Sequence, residues 1–221
     1  MDIITAIKTR HSTRAFLPKA VNKEIIEQIL AAARFAPSGV NTQPWRVAVV
    51  QGNIKDQLSK KMLTARQNNE PERPDYQYYP TEWFSPYQER RKACGRALYQ
   101  ALGITMHDKE ARMQAWNNNY HFFGAPVGLL ILIDSRLALG SWLDTGMFMQ
   151  NIMLAARNFA LNTCPQASLA EYPDIVRSLL NIEPHWHVVA GMSLGYEDEQ
   201  QPVNQYRLER EAVDGFTQWY E

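Results

Sequence analysis

Apolar positions along the chain follow two periods, and the changes between them mark the elements. After Asp2, a residue able to cap a helix, Ile3, Ile4 and Ile7 share a helical face, and the pattern predicts a helix ending near Thr9. After Asn22, Ile25, Ile26, Ile29, Leu30 and Ala33 keep helical spacing, and Pro37 lies beyond the point where that helix stops. Val47, Val49 and Val50 form a β-branched run that predicts a buried strand. Asn53 is placed to cap a helix from Ile54 to about Arg66, and two more helices are expected over about 88–102 and 107–116. VGLLILID at Val127–Asp134 is apolar from Val127 to Ile133, as in a strand buried on both faces. A long helix starting at Ser141 or Asp144 and reaching Phe159 carries Leu143, Met147, Ile152, Met153 and Ala156 around most of its circumference, which implies burial in the core or across a subunit contact. A short helix at Pro173–Leu180 and a strand at Val188–Met192 complete the pattern, with a loop expected over Asn162–Leu169.

Three stretches break the periodicity. The segment from Ala33 to Val50 runs from helix end to strand through Pro37, Ser38, Gly39, Asn41, Thr42 and Pro44, a rigid loop wedged between core elements. Residues 68 to 87 combine Pro71, Pro74, Pro80 and Pro86 with a crowd of aromatics that includes Tyr76, Tyr78, Tyr79 and Trp83. A loop of that length in a compact domain is either a lid or a segment packed onto the body. The C-terminal stretch ends in Phe216, Trp219 and Tyr220, which should dock on something.

Composition narrows the class. A chain of 221 residues, 45% hydrophobic and 21% charged, is long enough for one core and is read as a single domain, 1–221. Lys plus Arg equals Asp plus Glu at 23 each, with no basic run, so nothing points to nucleic acid or an anionic membrane. No apolar run approaches the ~20 residues of a membrane span, and MDIITAIKTRHS lacks the features of a signal peptide, so a cytoplasmic protein is expected. Cys94 and Cys164 are far apart without metal-ligand spacing and read as free thiols. His185 and His187 lack a third ligand, and no P-loop, G-x-S-x-G elbow or G-x-G-x-x-G is present.

Three groups of residues could carry chemistry. Arg10, Ser12 and Arg14 put two guanidiniums and a hydroxyl within five residues of a helix end, which suits a phosphate and equally suits a helix dipole. Asn41 and Gln43 carry amides that match an edge of alternating donors and acceptors, such as that of a flavin, or satisfy their own loop. Cys164-Pro165-Gln166-Ala167 could turn backbone N–H groups toward a ligand or be an ordinary turn.

Taken together, the segments resemble the FMN-dependent nitroreductase family. RHSTRAF at Arg10–Phe16 looks like its first flavin motif, APSGVNTQPWRVAVV at Ala36–Val50 like its most specific signature, and GAPVGLLILID at Gly124–Asp134 and CPQA at Cys164–Ala167 follow in order. GSWLDTGMFMQNIMLAARN and CPQASLAEYP look like the branch that acts on nitrobenzoate-type substrates. The resemblance implies an α+β fold, a mainly antiparallel sheet flanked by helices. It also implies an intertwined homodimer that exchanges C-terminal tails, with FMN at the interface. Carried over position by position, Arg10, Ser12 and Arg207 would hold the phosphate, and His11 would contact the cofactor. Arg14 would sit near the N1–C2=O edge. Pro37, Ser38, Asn41 and Gln43 would reach the flavin from the other subunit. Pro165 would cover a ring face, and the N–H groups of Gln166 and Ala167 would meet the N5–C4=O side. Relatives often have an acid where Gln166 stands, and Gln205 replaces a basic residue of some relatives. Asn118 is a further candidate for the pyrimidine edge, and the aromatics of 76–87 with Phe122 and Phe123 for the acceptor wall. The implied activity is hydride transfer from NADH or NADPH through the flavin to small nitroaromatic or quinone acceptors, ping-pong and without a side-chain acid or base. The same fold also hosts reductive dehalogenases and flavin-cleaving enzymes, and a flavin-binding protein without turnover would share the motifs.

Overall fold

The computed structural model describes all 221 residues. In chain order the elements are α1 (Ile3–Thr9), α2 (Lys23–Ala33), β1 (Trp45–Gln51), α3 (Gly52–Gln67), α4 (Tyr87–Ala101), α5 (Lys109–Asn117), β2 (Val127–Asp134), α6 (Leu139–Asn158), β3 (Asn162–Gln166), α7 (Pro173–Leu180) and β4 (Trp186–Gly195). Caps set two of the helix starts. Asp2 accepts from Thr5 N at 3.0 Å to start α1, and Asp108 from Ala111 N at 2.9 Å to start α5. Asn53 does not cap α3; the helix starts two residues earlier than expected, at Gly52, where φ of +51° suits glycine. The long helix starts at Leu139, ahead of both expected starts.

The four strands form one antiparallel sheet in the order β1-β2-β4-β3. β2 is central, and its side chains alternate between two cores. Val127, Leu129, Ile131 and Ile133 pack with Ile26 and Ile29 of α2 and Phe148 and Ile152 of α6. Leu130 and Leu132 pack on the opposite side with Leu58 and Met62 of α3 and Val176 of α7. The result is three layers, helices on both faces of the sheet. This is why the run from Val127 to Ile133 is continuously apolar.

The stretch Asn162–Leu169 is a correction to the expected loop. Residues 162–166 form strand β3, paired with Gly191–Gly195, and a 3-10 turn follows over Ala167–Ala170. Pro165 hid the strand, because proline has no N–H for the ladder. It is accommodated because β3 is an edge strand. The 3-10 turn lies directly on β4, since a Cβ on Gly191 would come within 2.1 Å of Leu169.

Residues 68–86 contain no helix or strand, and their base is fixed. Asp75 pairs with Arg177 at 2.8 Å and accepts from Val188 N at 2.8 Å. The β2–β4 register shifts between Ile131 and Leu132, leaving Val189 without a partner, and its carbonyl accepts from Tyr76 Oη at 2.5 Å. No helix is long and apolar enough to cross a membrane.

Candidate functional site

β3 brings the first and third motifs together. Beyond α1 the chain is extended, and Thr13 N donates to Thr163 O at 3.1 Å, with Ser12 bridged to Thr163. Asn204, 2% exposed, holds the segment from the other side: it accepts from Arg14 N at 2.8 Å, and its Nδ2 donates to Ala15 O at 2.8 Å and Asp198 O at 2.9 Å. His11 Nε2 lies 2.8 Å from Glu197 Oε1. Residues 10–14 therefore run beside the edge strand that carries Cys164-Pro165-Gln166.

Two adjoining cavities follow from this arrangement, sharing Arg14, Cys94 and Val203. The first, of about 560 Å³, is lined by Lys8, Arg10, Arg14, Arg207, Arg210 and Ser12 among others, and by no carboxylate. None of the four arginines forms an ion pair. Arg14 Nη1 donates to Tyr206 Oη at 3.0 Å, and Arg207 Nη1 to Asn204 O at 2.6 Å. Burial, with Arg210 nearby, holds the Arg10 guanidinium below its ordinary pKa. Unneutralised cations at close range repel one another, and the cluster has the charge and donors to receive an anion. The second cavity, of about 270 Å³, has Pro165, Gln166 and Ala167 on one wall and Leu98, Tyr99 and Trp116 among its other residues.

The loop of the second motif lies elsewhere. Pro37, Ser38, Asn41 and Gln43 line neither cavity. The loop is docked on α6 through Gly39 N and Asp144 Oδ2 at 3.1 Å, and braced by Gln43 N donating to Ser38 Oγ at 3.0 Å. Val40, Asn41 and Gln43 all have φ between 47° and 59°. A β-branched residue in that region is strained. Val40 is also fully exposed, and beside this loop α6 exposes Leu139 and Leu143.

The nitroreductase family model matches residues 7–196, which include all three motifs. The chain belongs to the nitroreductase family. It is 39% identical over 216 residues to the 4-nitrobenzoate reductase of Pseudomonas putida, covering 98% of this chain and 94% of the relative. It is 37% identical over 212 residues to the nitrobenzene nitroreductase of Ectopseudomonas oleovorans, covering 96% and 93%. Among solved structures, an FMN- and NADPH-dependent nitroreductase, NfnB from Sphigopyxis sp. strain HMH, superposes with a TM-score of 0.96 at 33% identity over 100% of both chains.

Within this family fold, several site residues had no signal in the sequence. Asn204 lies in a polar connection. Leu98, Tyr99 and Trp116 belong to α4 and α5, which have no buried residue, because their apolar positions face a cavity. Of the aromatics expected at the wall, Tyr79 and Phe123 line the cavity and Trp83 does not; Trp83 packs on Tyr79, ring centroids 5.7 Å apart. Asn118 lines it as well. Gln166 turns its side chain inward: Nε2 donates to Asn119 O at 2.7 Å and Oε1 accepts from Ser193 Oγ at 2.6 Å. Its amide ties the Asn118–Phe123 turn to β4 from inside and leaves its backbone on the cavity wall. Glu171 also lines the cavity, and burial pushes its carboxyl up to about 7 against the opposing hydrogen bond from Tyr120.

Proposed function

We propose that the protein is an FMN-dependent oxidoreductase that passes electron pairs from NADH or NADPH to small nitroaromatic or quinone acceptors. The observation that carries this is the cluster of unpaired arginines joined, through Arg14, to a flat-walled cavity beside Pro165–Ala167. That donor set fits FMN chemically. Arg10, Ser12 and Arg207 would hold the phosphate, with His11 beside them. Arg14 would place a cation near the N1–C2=O edge, Pro165 would cover one ring face, and the backbone of Gln166 and Ala167 would meet the other edge. When bound, the flavin accepts and returns a hydride, the chemistry that no side chain here supplies.

The site is completed by a second copy of the chain. In one chain Val40, Asn41 and Gln43 are held at positive φ on the surface, and with Pro37 and Ser38 they lie away from the arginines. The loop bonds partly to itself, Gln43 Nε2 donating to Asn41 O at 3.2 Å, and its rigid, strained backbone with Asn41 and Gln43 exposed suits a role across an interface. The apolar exposure of Val40, Leu139, Leu143 and of Phe216, Trp219 and Tyr220 in the tail gives that interface its area. An intertwined homodimer with tail exchange accounts for all of it. Donor and acceptor then use one cavity in turn, which gives ping-pong kinetics. The relatives named for nitrobenzoate and nitrobenzene reduction support the acceptor class.

The test is stopped-flow spectroscopy on the purified holoprotein. NADH or NADPH should bleach the flavin band, and 4-nitrobenzoate or nitrobenzene should restore it with saturation behaviour. A band that nicotinamides do not bleach would refute the proposal.

A further inference from the structure

One carboxyl in the second cavity has no place in hydride transfer. Glu171 is the only acidic side chain lining that cavity, and Arg14 the only cation. It follows the 3-10 turn of Ala167–Ala170, with its own N–H donating to Ser168 O at 3.1 Å, so it stands one turn beyond the Pro165–Ala167 wall. Tyr120 Oη donates to Glu171 Oε2 from behind, and Arg66 Nη1 lies 3.4 Å from Tyr120 Oη. Arg66 pairs outward with Glu72 at 3.2 Å. Ser168 Oγ, on the same cavity wall, is buried and has no partner in the protein. A carboxyl fixed through one oxygen, beside a hydroxyl with nothing to bond, in a largely apolar cavity, is arranged to meet a polar group of a ligand.

We infer that Glu171 is a binding contact for the electron acceptor and that it discriminates between carboxylate-bearing and uncharged aromatic acceptors. As the neutral acid it donates a hydrogen bond to an acceptor oxygen. As the carboxylate it repels an acceptor anion across a cavity of low dielectric. The inference rests on the acceptor entering this cavity, as proposed above.

Burial, only partly offset by its neighbours, places the change near neutrality. Burial raises the carboxyl to about 7; the Tyr120 hydrogen bond and the Arg66 cation act downward, and Glu72 acts upward. The groups facing it are Arg66 from α3, Glu72 and Tyr79 from the following loop, Tyr120 from the turn before β2, and Tyr172 at the start of α7. Arg14, Cys94, Tyr99 and Cys164 lie around the cavity. Tyr79, Tyr120 and Tyr172 are all held above the ordinary tyrosine value, so they stay neutral while Glu171 titrates.

The experiment titrates oxidised holoenzyme with two unreactive ligands, benzoate and benzamide, from about pH 5.5 to 8.5, reading the visible flavin spectrum and the heat of binding. Benzoate affinity should fall at least ~10-fold across that range while benzamide affinity stays level. Glu171→Gln should flatten the benzoate profile. Glu72→Gln, whose side chain is exposed and outside the cavity, should move the transition to lower pH, and it carries the test if the Glu171 variant folds poorly. A benzoate profile that is already flat in the wild type, or that neither variant alters, overturns the inference and leaves the cavity assignment standing. If neither ligand perturbs the flavin at any pH, the cavity assignment itself falls, and the inference with it.

Discussion

At the residue scale, position 166 shows how far a motif can be carried over. The sequence shows an amide where relatives often have an acid; it does not show which way the side chain turns. Inside the protein, Gln166 has a donor and an acceptor that match Asn119 O and Ser193 Oγ, each within 2.7 Å. A carboxylate could not donate to Asn119 O, so Gln166→Glu should lose that bond and bury an unpaired charge. We expect it to lower stability by about 2–4 kcal/mol, measured by urea unfolding. The arginines behave differently, because they have no acidic partner within the chain. Arg10→Ala combined with Arg207→Ala should leave the fold intact, since neither forms an ion pair, and weaken FMN by at least ~100-fold, measured by flavin fluorescence on titration. Full flavin occupancy in that variant would remove the phosphate assignment. Glu171 also marks stability. Its carboxyl is raised from 4.5 to about 7, so the folded chain binds the extra proton between those values and stability falls as pH rises through that window. Relative to Glu171→Gln, the wild type should lose about 1–2 kcal/mol from pH 5 to 8, discounted for its partial exposure to solvent.

At the scale of elements, the periodic ones were legible and the edge strand beside the cavity was not. Val127–Asp134 has the bounds expected of it because burial on both faces leaves an unbroken apolar run. β3 escaped because Asn162, Thr163, Cys164, Pro165 and Gln166 neither alternate nor offer every N–H to a ladder. A strand at the sheet edge, whose outer side meets the Arg10–Arg14 segment, needs neither property. α4 and α5 were placed to within a residue or two, yet their part in the cavity was invisible, since apolar residues facing a cavity look like ordinary surface. The aromatic loop makes a separable prediction. Asp75 and Tyr76 clip its base to Arg177, Val188 and Val189. Tyr76→Phe removes one clip without removing the ring that packs at a tilt against Trp142, centroids 4.5 Å apart. Cleavage by a protease within 77–86 should rise about 3- to 10-fold, and the acceptor KM should change more than flavin content.

At the scale of the whole molecule, the proposed dimer answers several features of the single chain. Its arginines converge without anions, and its second motif is displayed on a strained loop away from them. Its tail carries Trp219 at 82% exposure on no core of its own, and the Arg90–Glu211 ion pair ties that tail to α4. In the proposed two-fold pair each of these surfaces would meet its complement. The central claim is therefore that one cofactor site is built from two chains. The direct measurement is complementation between two flavin-poor variants, Arg10→Ala/Arg207→Ala and Asn41→Ala/Gln43→Ala, co-expressed with different tags and purified as the mixed dimer. A shared site leaves one intact set of residues per mixed dimer, so each variant alone should be nearly colourless and the mixed dimer should carry about one FMN. A mixed dimer as empty as its parents, or an Asn41→Ala/Gln43→Ala protein that keeps its full flavin, would contradict the account.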